Sequence, residues 1–186
     1  DVCDPVRIGE PLHFIIHAAS FASPRYYGSD PVGTLKPNIT GTINLLELAA
    51  INPVESFLFF SSSEVYGVSG NGLQKTGESD YGYLDPVSVR SCYAESKRMG
   101  ENICISYGHQ YGIPVKIVRP FHTYGPGMLP NDGRVHADFV EDVVSQRDIV
   151  MKSEGLAKRA FCYIADATEA FFLVLLRGDN GQPYNV

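Results

Sequence analysis

Residues 57–64 are Phe-Leu-Phe-Phe-Ser-Ser-Ser-Glu, an apolar run of strand length that gives way to three hydroxyls and a carboxylate. Two other runs share this length and this β-branched or aromatic character, Phe14-Ile15-Ile16-His17 and Val115-Lys116-Ile117-Val118. Continuous short apolar runs are typical of strands that are buried on both faces of a parallel sheet. The sequence therefore predicts three strands of such a sheet.

Helix-period segments separate these runs. Before the second strand, Asn38 is predicted to cap a helix that ends at Asn52-Pro53 and carries apolar residues at near-helical spacing: Ile39, Ile43, Leu46 and Ala50. Before the third strand, a long helix is predicted from Ser91 to about Tyr111, ended by Gly112 and Pro114. Alternation of strands and helices predicts an α/β fold with a doubly wound parallel sheet.

Composition limits the classes of partner. The 186 residues suffice for one domain, or a large part of one, and 15 Lys and Arg against 21 Asp and Glu give a net charge of −6. Such a chain has no broad basic surface for a nucleic acid backbone. Its apolar stretches near 57–60 and 171–176 are far shorter than the roughly 20 residues that span a bilayer. We therefore expect no nucleic acid and no membrane partner.

Cysteine and histidine spacing gives no sign of a metal site. The four cysteines form no C-x-x-C pair, and no H-E-x-x-H motif occurs. His13 and His17 are four residues apart, but they lie at the first predicted strand and not on a helix. The N-terminus has neither the basic start nor the apolar core of a signal peptide. The sequence predicts reduced thiols, no metal and a cytoplasmic location.

A candidate proton-transfer site combines two of these segments. Tyr93 and Lys97 are four residues apart in the predicted long helix, so their side chains share one face. The end of the second strand supplies Ser62, which can orient a reacting hydroxyl. The charge of a nearby ammonium favours the phenolate form of a tyrosine, so we expect Tyr93 to act as a base near neutral pH. Without further context, a solvated Tyr/Lys pair on a helix surface is the commoner outcome of such spacing, and ordinary turn chemistry explains the serines.

The motifs resemble, in order, those of the extended short-chain dehydrogenases/reductases that act on nucleotide sugars. The resemblance rests on blocks along nearly the whole chain: Asp1-Val2, Phe14 to Ser20, Asn38 to Thr42, Ser61 to Gly67, Tyr93 to Lys97, Arg119 to Gly127, Arg159 to Asp166 and Tyr184 to Val186. Within that family the chain looks most similar to UDP-glucuronate decarboxylases, through Ser23 to Tyr27, Thr34 to Asn38, Ser62 to Gly67 and Asn131 to Val135.

The resemblance implies a Rossmann-like fold, NAD as cofactor and a set of site residues. Catalytic roles are implied for Tyr93, Lys97, Ser62, Ser63 and Glu64. Cofactor contacts are implied for Asp1, Val2, Ala18, Ala19, Ser20, Asn38, Ser61, Tyr93, Lys97, Pro120 and His122, where His122 takes a position usually held by Asn. Substrate contacts are assigned to Tyr27, Lys36, Arg134 and Arg159, with Arg25 as an alternative to Lys36 for a substrate carboxylate. Arg134 and Arg159 suit a diphosphate, because guanidinium binds phosphate in a bidentate manner.

No glycine-rich G-x-G-x-x-G motif occurs in the chain. The resemblance therefore predicts that the first strands and the pyrophosphate-binding loop precede Asp1 and that a substrate-binding portion continues after Val186. We expect residues 1–125 to form the dinucleotide-binding portion and residues 126–186 to begin the substrate-binding portion, interleaved with the last sheet elements. Without that loop, residues 1–186 alone are expected to bind NAD too weakly to detect.

The resemblance implies transient oxidation of a nucleotide-sugar at C4. Dehydratases of the family carry an aspartic acid immediately before the glutamate, where this chain has Ser63, and epimerases generally lack the carboxylate at position 64. The Ser63-Glu64 pair therefore favours UDP-glucuronate decarboxylation, with 4-epimerisation or 4,6-dehydration as alternatives. A homodimer through helices 38–51 and 91–111 is also implied, and a non-catalytic dimerising fragment is the alternative of another class.

Overall fold

The computed structural model of the chain describes residues 1–68, 75–130, 133–151, 153–156 and 158–186. The predicted parallel sheet is present and contains four strands, in the order β1 (Phe14–His17), β2 (Ser56–Phe60), β3 (Val115–Arg119) and β6 (Pro183–Asn185). A separate parallel pair joins β4 (His122–Tyr124) to β5 (Phe161–Tyr163). Asn131 and Asp132, from one block of the resemblance, lie outside the described residues.

Alternation along the strands divides the core between the two faces of the sheet. Phe57 and Phe59 of β2 point to one face, where they pack with α3 (Thr42–Ala50) and α4 (Cys92–Tyr111). Leu58 of the same strand points to the other face and packs against α6 (Ile164–Arg177). Helices on both faces make the sheet doubly wound, and the predicted α/β fold is confirmed.

The segment before α3 corrects the predicted capping role of Asn38. Helical structure begins earlier, in α1 (Tyr26–Ser29) and α2 (Pro31–Lys36), and the Asp30 side chain caps α2 by accepting from the Gly33 amide at 2.9 Å. Asn38 instead lies inside a π-helical turn, Pro37–Gly41, with its side chain fully buried. Its Nδ2 donates to the Ser96 hydroxyl of α4 at 2.9 Å, so the residue joins two helices rather than starting one.

The long helix α4 matches its predicted length and ends as predicted. Gly112 adopts a left-handed conformation, φ +71°, and its amide bonds to the Gly108 carbonyl at 3.0 Å. A glycine at this position removes the steric cost that a Cβ would incur. A short α5 (Val135–Val144) follows the β4 region. Among the described residues, no helix has both the length and the apolar character required to cross a membrane.

Gly100 sets how closely α4 approaches the sheet. A Cβ at this position would lie 2.4 Å from Cζ of the fully buried Phe59 and 3.1 Å from the Asn38 carbonyl oxygen. We therefore expect Gly100→Ala to lower the free energy of unfolding by about 1–3 kcal/mol, despite the higher helix propensity of alanine. Urea denaturation measures this change.

Gly28 is the matched control for that substitution. It lies in α1, and a Cβ there would meet no atom within 4 Å. Gly28→Ala should leave stability unchanged or raise it slightly, because alanine restricts the unfolded chain. Equal stabilities of the two variants would show that α4 can move away from Phe59 at no cost.

Candidate functional site

A pocket opens beyond the carboxyl ends of β1, β2 and β3, the edge where doubly wound sheets bind their ligands. It brings together most of the predicted site residues: Ala18, Ser20, Tyr27, Ser61, Ser62, Ser63, Glu64, Tyr93, Lys97, Pro120, His122 and Arg134. The other predicted residues do not line it, and these are Asp1, Val2, Ala19, Lys36, Asn38 and Arg159. The pocket is therefore built mainly from the strand ends and the start of α4.

The serine loop is held rigidly at the end of β2. The Ser61 amide bonds to the Val118 carbonyl at 2.8 Å, and the Ser63 amide bonds to the Pro120 carbonyl at 3.0 Å, so β3 continues to support the chain after the strand has ended. The Ser62 hydroxyl then accepts from the Glu64 amide at 3.2 Å and caps a short 3₁₀ turn, Ser63–Tyr66. This turn directs the hydroxyls and Glu64 to the pocket.

Tyr93 lies in the first turn of α4 and is 6 % exposed. Burial raises its pKa above the usual value, since a desolvated phenolate is unfavourable. A hydrogen bond with the Ser62 side chain acts in the opposite direction, whereas the charge of Glu64 raises the pKa further. The predicted lowering of this pKa by Lys97 is therefore not what the structure shows, because burial is the larger effect.

The contacts and burial of Lys97 explain why this residue has little effect on the pKa of Tyr93. Its Nζ donates to the Phe60 carbonyl at 2.6 Å and lies 5.7 Å from the centre of the Tyr93 ring. The side chain is 2 % exposed, and burial lowers the pKa of its ammonium to about 7. A lysine that titrates near neutral pH can take up or release a proton under physiological conditions, which suits a proton relay more than a fixed charge.

A second charged group, which does not line the pocket itself, pairs with the pocket residue Glu64. Arg90, in the turn before α4, makes three guanidinium contacts of 3.3 Å with the carboxylate of Glu64. Arg90 was absent from the sequence-based set, since nothing in the local pattern links it to a residue 26 positions away. Its neighbour Tyr27 is 2 % exposed and stacks on Tyr93, with ring centres 4.8 Å apart and planes at 11°.

The opposite wall carries cations and histidines. Arg134 lines the pocket and donates to the Ala22 carbonyl at 3.4 Å, and His122 and His136 lie beside Phe161 of β5. Burial and the charges of Arg159 and Arg134 lower the pKa of His122, and the charge of Glu64 acts in the opposite direction. This wall has the charge expected for an anionic ligand.

Several of the predicted site residues lie outside the pocket. The Val2 carbonyl accepts from Asn44 at 2.9 Å, which ties the start of the chain to α3. Asn38 is buried against α4, Lys36 is exposed at the end of α2, and Arg159 is exposed with its guanidinium on the neighbouring Lys158 carbonyl. Their assignment to cofactor or substrate contacts stays a prediction.

A buried ion pair supports the serine loop that lines the pocket. Arg119, at the end of β3, donates to both carboxylate oxygens of Glu101 at 2.8 and 2.7 Å, and Glu101 also accepts from the Ser61 hydroxyl at 2.5 Å. Another Arg119 nitrogen donates to the Tyr66 hydroxyl at 2.9 Å. The sequence places Arg119 and Glu101 in the right elements but gives no local signal that they pair.

The pocket residues have the chemistry to hold part of a dinucleotide. Tyr93 and Lys97 provide donors suited to ribose hydroxyls, and the Ser20 hydroxyl is buried at the pocket wall with no partner among the described residues. No group of three or more His, Cys, Asp or Glu side chains in the described parts of the chain could hold a metal ion.

The buried Lys97 makes the stability of the fold dependent on pH. Its pKa is about 7 in the folded chain and about 10.4 when unfolded, so between these values the unfolded state binds more protons. Wild-type stability should therefore rise with pH across this window relative to Lys97→Met, which lacks the titrating group. Urea denaturation at a series of pH values measures the difference between the two proteins.

The exposed Lys75 provides the control for this experiment. Lys75→Met should follow the wild-type curve at every pH, because its side chain has a similar environment before and after unfolding. Parallel curves for wild type and Lys97→Met would contradict the buried, neutral lysine.

Comparison with known proteins matches the chain to a protein family. The model of the NAD dependent epimerase/dehydratase family matches residues 2–186. UDP-glucuronic acid decarboxylase 5 of Arabidopsis thaliana is 38% identical over 186 residues, which is all of this chain and 53% of that protein. The chain thus spans about half the length of the curated relatives it matches.

Solved structures agree with the fold. RMD from Pseudomonas aeruginosa, complexed with NADPH, aligns with a TM-score of 0.82 at 27% identity over 100% of this chain and 65% of that one. A UDP-N-acetylglucosamine 4-epimerase from Methanobrevibacter ruminantium M1, in complex with UDP-N-acetylmuramic acid, aligns with a TM-score of 0.80 at 25% identity over 94% of this chain and 54% of that one.

Proposed function

This chain belongs to the NAD dependent epimerase/dehydratase family, and from that premise we propose that the full-length protein is a UDP-glucuronate decarboxylase that works through transient oxidation at C4. The observation that supports the reaction most directly is the convergence of Ser62, Ser63 and Glu64 with Tyr93 in one pocket. The identity of 38% to a plant UDP-glucuronic acid decarboxylase supports the same choice. NAD is the proposed cofactor.

The proposed first step is removal of the C4 hydroxyl proton. Tyr93 takes this proton while Ser62, already hydrogen-bonded to the phenol, orients the reacting oxygen. Tyr93 must be a phenolate to take this proton, and the proton of its own phenol is proposed to pass to Lys97, which can accept one because its pKa is about 7. When bound, NAD supplies the acceptor and the donor for the hydride at C4.

The second step needs little chemical help from the protein. Oxidation at C4 makes the C5 carboxylate β to a ketone, so the carbon–carbon bond breaks with release of carbon dioxide and leaves an enolate. Tyr93, now protonated, can hold the enolate oxygen with a hydrogen bond. Glu64 lies at the same pocket wall and is proposed to orient the sugar or to govern the proton that C5 receives.

Arg134 is proposed to bind the substrate diphosphate, because its side chain lines the pocket and guanidinium suits phosphate oxygens. Tyr27 contributes an aromatic wall beside the base. Lys36 lies on the exposed end of α2 outside the pocket, so the proposal gives it no part in binding the substrate carboxylate.

A 4-epimerase is the second candidate. It is favoured by the structural likeness to the UDP-N-acetylglucosamine 4-epimerase described above. The products separate the two functions: incubation of the full-length protein with UDP-glucuronate and NAD should release carbon dioxide and give a UDP-pentose. An epimer of unchanged mass would favour the second candidate, and the absence of any turnover would contradict both.

Tyr93→Phe tests the base without changing the packing of the ring. We expect kcat for UDP-glucuronate to fall by about 10²–10⁴, the usual contribution of general acid–base catalysis, while calorimetry shows little change in UDP-sugar binding. Tyr111→Phe, at the exposed end of the same helix, is the control and should retain wild-type turnover. Wild-type activity in Tyr93→Phe would overturn the mechanism.

We also propose that the protein forms a homodimer through helices 38–51 and 91–111. Apolar side chains are exposed on these segments at Ile51, Met99, Ile105 and Tyr111. Met99→Glu should therefore shift the full-length protein to the monomer in size-exclusion chromatography with light scattering, because a carboxylate would be buried without a partner. Val144→Glu, which replaces an exposed apolar residue on α5, should not change the mass.

A further inference from the structure

Arg90 contacts both candidate chemical groups of the pocket, one directly and one through a neighbour. Its guanidinium lies over the Tyr27 ring, 4.7 Å from the ring centre, and Tyr27 in turn stacks on Tyr93. The same guanidinium holds the Glu64 carboxylate through three contacts of 3.3 Å. Three separate parts of the chain, α1, the turn after β2 and the start of α4, therefore meet at one arginine.

The stability of the fold does not account for this arrangement. The Arg90 and Glu64 side chains are 56% and 40% exposed, and exposed ion pairs of this length contribute little to folding. Tyr27 is buried, and its hydroxyl donates to the Ala22 carbonyl at 3.1 Å, which holds the tip of the side chain but leaves the tilt of its ring to the groups on its two faces. Arg90 instead fixes the position of the Glu64 carboxylate relative to the Tyr93 phenol.

We propose that Arg90 is a positioning residue, which sets the place of Glu64 and, through Tyr27, the place of the Tyr93 ring for proton transfer. The kinetic part of this inference rests on the proposed function. Arg90 does not line the pocket, so it acts through its neighbours and not by touching the sugar.

The pKa of Tyr93 distinguishes the proposed role from a purely structural one, because a purely structural role of Arg90 would leave this pKa unchanged. The charges and dipoles that face Tyr93 come from Glu64, Ser62 and Arg134, with Lys97 on its own helix and Tyr27 stacked on its ring. The Glu64 carboxylate raises the pKa of Tyr93, and Arg90 is the cation paired with that carboxylate. Removal of Arg90 therefore leaves an uncompensated anion beside the phenol, which raises this pKa further.

The test compares Arg90→Met and Arg90→Lys in the full-length protein. Arg90→Met should lower kcat for UDP-glucuronate by about 10–100-fold with little change in KM, as expected for a misplaced catalytic group, and should move the ascending limb of the pH–rate profile to higher pH. Arg90→Lys keeps the charge and should restore the position of that limb in part. Arg147→Gln is the matched control, because this arginine is similarly exposed and pairs with Glu141 and Asp142 on α5.

A double-mutant cycle shows whether Arg90 acts through Glu64. If it does, the loss in Arg90→Met with Glu64→Gln should be smaller than the product of the two single losses. Independent, multiplicative losses would overturn the link to Glu64. An unchanged kcat and an unchanged pH profile in Arg90→Met would overturn the whole inference, while wild-type turnover of UDP-glucuronate in the same assay keeps the proposed function.

A second measurement needs no sugar substrate. In protein carrying ¹³C-labelled tyrosine, the Tyr93 ring resonance is assigned by its loss in Tyr93→Phe. This resonance should shift in Arg90→Met and stay in place in Arg147→Gln, because the ring moves only when its support is removed. A resonance that does not respond to Arg90→Met contradicts the inference even if the protein proves to catalyse a different reaction.

Discussion

The buried pair between Arg119 and Glu101 is the contact on which the pocket depends. It joins the carboxyl end of β3 to the middle of α4, and its arginine side chain is 3% exposed. Removal of one partner from such a pair costs about 3–5 kcal/mol, because the other charge stays buried and uncompensated. Glu101 also accepts from Ser61, so the same carboxylate positions the serine loop and the helix that carries Tyr93 and Lys97. The positions of the serine loop and of α4 therefore both depend on Glu101.

Local features of the chain were predictable, and contacts between distant segments were not. The three strands follow from short apolar runs, and the pairing of Tyr93 with Lys97 follows from helical spacing, because both patterns depend only on neighbours in the sequence. The predicted cap at Asn38 was wrong, since Asp30 with Pro31 starts a helix earlier in the chain and Asn38 is engaged with Ser96. Its side chain has the chemistry of a cap, and only the tertiary contact shows its use.

The same division explains which site residues were missed. Arg90 meets Glu64 and Tyr27 because the turns that carry them converge above the sheet, and no motif in the sequence records this. The sequence also did not show how deeply Tyr93 and Lys97 are buried, although burial has the largest effect on the pKa of each side chain. A lysine beside a tyrosine predicts a lowered phenol pKa from charge alone, whereas the burial of the two side chains raises the pKa of Tyr93 and lowers that of Lys97.

The chemistry of the wall next to Tyr93 bears on the choice between reactions. Elimination of a hydroxyl needs a group that can protonate the leaving oxygen, and Ser63 is a poor acid at the position next to Glu64. Loss of carbon dioxide from a β-keto acid needs no such group, because the electrons of the breaking bond move into the ketone. A pocket with hydroxyls, one carboxylate held by Arg90 and a phenol that can hold an enolate oxygen therefore supports the proposed decarboxylation more than a dehydration.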